Sequence, residues 1–101
     1  MAKLQLRMYT LNKGQAEAFL KLWRQKVVPL RAKYGFRVVG SWLVENENRF
    51  VWMLAYDGDD WDKAEAAYFG SDERKTMNPS PSDYVAHMEL RFVQAVSSTE
   101  A

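Results

Sequence analysis

Residues 34–56, YGFRVVGSWLVENENRFVWMLAY, decide the fold of this chain. Gly35 reads as a helix exit, and two arms rich in Val, Phe, Trp, Leu and Tyr flank the polar turn Glu45-Asn46-Glu47-Asn48. Aromatic and β-branched residues suit a pleated, half-buried surface, so the stretch is a β-hairpin and the expected centre of a sheet. Simple alternation puts Phe36, Val38, Gly40, Trp42 and Val44 on one face of the first arm. In the second arm Phe50, Trp52, Leu54 and Tyr56 alternate with Val51, Met53 and Ala55. A glycine inside a strand, here Gly40, suggests a bulge or room left for a bulky neighbour. Both faces are apolar enough to require cover.

Upstream, Leu4, Leu6, Met8 and Thr10 alternate with Gln5, Arg7, Tyr9 and Leu11, a first strand with one aliphatic and one mixed face. Asn12 with Gln15 three residues on predicts a capping box. The helix that follows carries Ala16, Phe19, Leu20, Trp23, Val27 and Leu30 as an apolar stripe, with Glu17, Lys21, Arg24, Gln25 and Arg31 assigned to the other side. Pro29 has no N–H for the carbonyl of Gln25, so the helix should kink or restart near Val28. Gly35 is placed to end it in the left-handed conformation.

Downstream of the hairpin, Asp57-Gly58-Asp59-Asp60 starts a second helix with Trp61, Ala64 and Tyr68 on one side, ending near Gly70. Trp23 and Trp61 are expected in the core. Ser71 to Met77 could add a helical turn, and Asn78-Pro79-Ser80-Pro81-Ser82 reads as an exposed loop. A last strand from Tyr84 or Val85 to Val96 alternates Met88, Leu90 and Phe92 against His87, Glu89, Arg91 and Val93. Residues 97–101 are a polar tail, expected to fray.

The order β-α-β-β-α-β is the ferredoxin-like split βαβ arrangement, an α+β fold with sheet order 4-1-3-2 and both helices on one face. All 101 residues form one domain. The other sheet face would be bare in a monomer and too apolar for water, so a homodimer packed sheet to sheet is expected.

Bulk properties exclude several functions. The 14 basic and 13 acidic residues leave a net charge of +1, without the basic stripe of a nucleic-acid binder or a polybasic membrane element. Cysteine is absent and His87 is the single histidine, which removes disulfides, thiol nucleophiles and multi-histidine metal clusters. No cofactor is implied. No signal core, transit segment or membrane-length run is present, so a cytoplasmic protein is the default expectation.

Candidate site residues come from the strands. The first and fourth strands are neighbours in this topology, and their polar faces, Gln5, Arg7 and Tyr9 with His87, Glu89 and Arg91, are expected to look the same way. A mid-strand guanidinium at Arg7 needs a partner, and Glu89 is the nearest by register. As a binding site, this set would hold a carboxylate or carbonyl group at Arg7 or Arg91, with Tyr9 or His87 handling a proton. As scaffolding, it would be a salt-bridge network that fixes register, the commoner use of such groups. Trp42 and Trp52 could stack a flat ligand, although core or interface packing is the commoner role for tryptophan. The Asp57, Asp59 and Asp60 cluster is explained by helix capping. No phosphate loop or nucleophile elbow is present.

The segments QLRMYTL, LKLWRQKVVPLRAKYGF and VVGSWLVENENRFVWMLAYDG, in that order, resemble the NIPSNAP family. The resemblance implies a dimeric α/β barrel of two ferredoxin-like units, and it carries over Arg7, Tyr9, Trp42 and Trp52 as pocket candidates. The barrel superfamily includes cofactor-free monooxygenases, isomerases, haem-degrading enzymes and many proteins of no known activity. Two functions are therefore carried forward. The first is a homodimer that binds a small apolar or aromatic ligand. The second is a cofactor-independent monooxygenase or isomerase acting on a polyketide- or quinone-like substrate, with Tyr9 or His87 moving the proton.

Overall fold

A computed structural model describes residues 2–97. The elements run β1 (Lys3–Leu11), α1 (Ala16–Leu22), a π-helical segment (Trp23–Val27), α2 (Val28–Lys33), β2 (Phe36–Val44), β3 (Arg49–Tyr56), α3 (Trp61–Gly70), α4 (Asp72–Lys75), a 3-10 turn (Pro81–Tyr84) and β4 (Val85–Val93). The strands form one antiparallel sheet in the order β2-β3-β1-β4, the 4-1-3-2 arrangement of the ferredoxin-like fold.

Local chemistry explains most boundaries. Pro29 cannot donate to the carbonyl of Gln25, and its ring would crowd that carbonyl in an α-helix. The helix widens one turn earlier, so that the N–H of Val28 donates to the Trp23 carbonyl five residues back. Gly35 ends α2 at φ +90°, where its N–H donates to the Ala32 carbonyl. Asp60 caps α3 by accepting from the Lys63 N–H at 3.0 Å, and Ser71 caps α4 by accepting from the Arg74 N–H at 3.2 Å.

Three local expectations are corrected. Asn12 does not cap α1: its side-chain nitrogen donates to the Asp83 carbonyl at 3.1 Å, and Gln15 stands at the cap without a side-chain bond. The Pro-rich segment is not wholly irregular, because the Asp83 carboxylate accepts from the Ser80 N–H at 3.0 Å and closes the 3-10 turn. β4 ends at Val93 rather than Val96, and the expected frayed tail lies outside the described residues except for Ser97.

The core lies between the sheet and the helices. Tyr9, Leu11, Phe36, Phe50, Trp52 and Leu54 meet Phe19, Trp23, Val27 and Trp61 from the helical layer, all buried. Ring packing between sheet and helices is edge-on at the tryptophans: Trp23 lies 5.0 Å from Phe50 and 5.4 Å from Trp52, and Trp61 lies 5.0 Å from Phe36.

Two β-bulges decide which side chains share a face. In β2 the register passes from Val38↔Leu54 to Gly40↔Met53, leaving Val39 extra. One extra residue inverts everything after it. Trp42 therefore pairs with Val51 and faces away from the helices, 55% exposed, whereas Trp52 is 1% exposed inside the core. The expectation that Phe36, Val38 and Trp42 share a face fails at this bulge. A second bulge, at Ala86, separates Leu11↔Val85 from Thr10↔His87.

The face away from the helices holds Leu4, Leu6 and Met8 of β1, Val51 and Met53 of β3, and Trp42. Segment 94–97 borders it at one end, lining a hollow with Leu4, Val39 and Met53. The aliphatic face of the first strand is thus the open one, and its charged face is turned inward.

Candidate functional site

β1 supplies the centre of the candidate site. Gln5, Arg7 and Tyr9 point to the helical side, each at most 5% exposed. Arg7 Nε donates to the Tyr9 hydroxyl at 2.8 Å and its Nη1 donates to Gln5 Oε1 at 2.6 Å. Its guanidinium also lies 5.3 Å from the centre of the Trp52 ring on the paired strand. A buried cation is costly unless hydrogen-bonded, and here neutral groups meet part of that need without cancelling the charge.

Helices bring further charge to the same space. Arg31 of α2 is 2% exposed and forms an ion pair with Glu65 of α3. Its guanidinium sits 3.9 Å from the centre of the Tyr68 ring and 4.9 Å from that of Phe36. Burial pulls the Arg31 guanidinium below its ordinary value; Glu65 opposes this and neighbouring Arg7 adds to it. Burial also pushes the Tyr68 phenol up, against the pull of Arg31 and Arg74. Arg74, on α4, lies 5.2 Å from the Phe69 ring centre and reaches Ser80 Oγ at 3.4 Å.

These groups surround a cavity of about 230 Å³ between the sheet and the helical layer. Arg7, Tyr9, Trp52, Arg31, Glu65 and Arg74 line its polar side, and Val27, Phe69, Val85, Met88 and Leu90 its apolar side. Phe69, Met88 and Leu90 are 44%, 39% and 38% exposed, so the apolar wall reaches solvent and forms the mouth. A larger groove of about 540 Å³ runs along the outer side of α2 against α4, but it is open and its Lys33 is paired with Glu73. The cavity between sheet and helices is the better site, because it collects buried charge beside apolar surface.

The residues selected from the sequence divide between the two faces. Arg7, Tyr9 and Trp52 come together in the cavity. His87, Glu89 and Arg91 pair with Thr10, Met8 and Leu6 and lie on the open face, so the expectation that they look the same way as Gln5, Arg7 and Tyr9 is corrected. The cross-strand neighbour of Arg7 on β4 is Leu90, and Glu89 cannot serve as its partner. His87 contacts Glu89 instead, 3.5 Å away. Tyr9 and His87 are not brought together, and Trp42 and Trp52 stand on opposite sides of the sheet.

Sequence reasoning missed Arg31, Glu65 and Arg74. A signal for two of them was available: Arg31 stands four residues after Val27, and Glu65 four after Trp61, so both occupy core-facing positions of their helices. A charge at such a position on each of two helices marks a buried pair.

The sequence model of the NIPSNAP family matches residues 4–99. The chain belongs to the NIPSNAP family. A NIPSNAP family protein from Agrobacterium tumefaciens has a similar structure, with TM-score 0.87 at 17% identity, covering 100% of both chains. An uncharacterised NIPSNAP domain protein from Burkholderia xenovorans has TM-score 0.80 at 21% identity, over 100% of this chain and 98% of that one. A Nitrosomonas europaea protein, provisionally named an antibiotic biosynthesis monooxygenase, has TM-score 0.67 at 17% identity over 96% of this chain and 100% of that one. At such identities the likeness is one of fold, and fold does not fix function. No curated protein matches the chain.

Proposed function

We propose that this NIPSNAP protein is a homodimer that binds a small apolar or aromatic ligand in the cavity between the sheet and the helices of each subunit. The observation that carries the ligand reading is the cavity itself, where aromatic and aliphatic walls meet convergent polar groups. Support for the dimer comes from the open sheet face, where Leu4, Leu6, Met8, Val51, Met53 and Trp42 form an apolar surface that a second copy would cover. A cavity on one face and a seam on the other can be occupied together, so the two halves of the proposal are compatible.

Native mass spectrometry of freshly purified protein tests it. A dimer carrying added mass, lost on denaturation, is the expected result. A monomer would overturn the dimer. Protein without adduct whose melting temperature no apolar or aromatic probe raises would overturn the ligand reading.

A further inference from the structure

Hydrogen-bond donors far outnumber acceptors around the cavity. Arg7 spends Nε on the Tyr9 hydroxyl and Nη1 on Gln5 Oε1, both neutral groups. Tyr9 accepts from Arg7 and keeps its own proton to give. Trp52 Nε1, Arg31 Nε and Arg74 Nε are buried without an acceptor. Among the described lining residues Glu65 is the one acidic side chain, and Arg31 occupies it. Three arginines against one carboxylate leave the cavity walls with two positive charges in excess (3 − 1). Arg7 is 4% exposed and has no ion-pair partner among the described residues, an arrangement that desolvation disfavours unless an anion arrives.

The remaining wall is apolar, and its size limits the guest. A cavity of about 150 Å³ takes benzene, and this one, at about 230 Å³, has room for a ring with a short side chain. We infer that the ligand is a small apolar carboxylic acid, its carboxylate held by Arg7 and Arg74 and its body lying against Phe69, Met88 and Leu90. This rests on the ligand-binding reading above and narrows it to one chemical class. A planar monoanion suits a guanidinium that no carboxylate of the described residues neutralises. Tyr9 and Trp52 give further donors on the sheet side, and a neutral ligand of the same shape would leave them and Arg7 unanswered.

Calorimetric titration of the purified protein with 3-phenylpropionate and with 3-phenylpropionamide at pH 7 tests the inference. The acid should bind at least tenfold more tightly than the amide. Its affinity should fall as pH drops through the probe's own carboxyl pKa, about 4.5, while that of the amide stays level. Arg74→Met, on a four-residue helix outside the core, should bring the acid-to-amide affinity ratio close to one. Arg7→Met should do the same, but it strips Gln5 and Tyr9 of a partner, so the Arg74 variant decides if that one fails to fold. Equal binding of acid and amide overturns the acid class and leaves the ligand-binding reading standing. An acid preference that survives in Arg74→Met overturns the placement of the head group. Binding of neither compound overturns the acid class, and the ligand-binding reading then rests on the mass-spectrometric and melting test above.

Discussion

The Arg31 guanidinium stacks over Tyr68 at 3.9 Å from the ring centre while its edge engages Glu65, so one side chain of α2 clamps α3 by charge and by aromatic contact together. Arg31→Met leaves the Glu65 carboxylate without its partner. Removing one member of a buried pair costs roughly 3–5 kcal/mol, and because Glu65 is 23% exposed, about 2–3 kcal/mol is expected here. Chemical denaturation should show that loss. Combining the change with Glu65→Gln should recover part of it, and strict additivity of the two substitutions would count against the clamp.

Tyr68 makes the fold sensitive to alkali. Burial raises its phenol above the ordinary value near 10, so the neutral form is the one the native state favours. A raised folded-state pKa contributes stability in full below pH 10, and that stability is lost as pH rises through the folded value. In an ultraviolet titration the Tyr68 phenol should ionise late. Tyr68→Phe should remove that late step, and a titration unchanged by the substitution would refute the assignment.

Trp42 and Trp52 should respond in opposite ways. Trp52→Ala empties a site in the core and should cost about 3–5 kcal/mol. Trp42→Glu lies on the open face, where surface changes usually stay within about 0.5 kcal/mol. It should leave the subunit folded yet turn the proposed dimer into a monomer, read by sedimentation velocity with circular dichroism as the control. A Trp42→Glu protein that remains dimeric would place the seam elsewhere.

Two glycines also separate by environment. Gly35 holds φ +90°, and a Cβ there would stand 3.0 Å from the Tyr56 ring, so Gly35→Ala should destabilise by about 1–2 kcal/mol. Gly70 ends α3 with open space around it, and Gly70→Ala should stabilise by up to about 1 kcal/mol. Thermal melts of both variants check the pair, and equal shifts would contradict the argument.

What the sequence made legible was local. Gly35 as a helix exit, Asp60 as a cap, the disturbance before Pro29 and the core tryptophans Trp23 and Trp61 each depend on residues a few positions apart, and the order of elements then leads to the fold. Which faces share a side was not legible, because it depends on the extra residues Val39 and Ala86, whose effect exists only once a partner strand supplies the register. Nor does a polar run on one strand oblige its neighbour to be polar. Gln5, Arg7 and Tyr9 instead oppose Phe92, Leu90 and Met88, since neighbouring strands in a fixed register have no choice of partner. Arg31 reads as solvent-facing from its charge until the helix opposite is known to carry Glu65.

The widened turn at Trp23–Val27 lets the chain carry one more residue without moving the cavity wall. Its five residues close a turn that four residues of an α-helix, at about 100° each, would close. Deleting one residue from this turn would restore the ordinary pitch and leave Val28–Lys33 facing much as before, with Arg31 still over the Tyr68 ring. In comparing this chain with its relatives, a one-residue gap before the Val28-Pro29-Leu30 segment therefore leaves the site in place wherever the flanking letters agree.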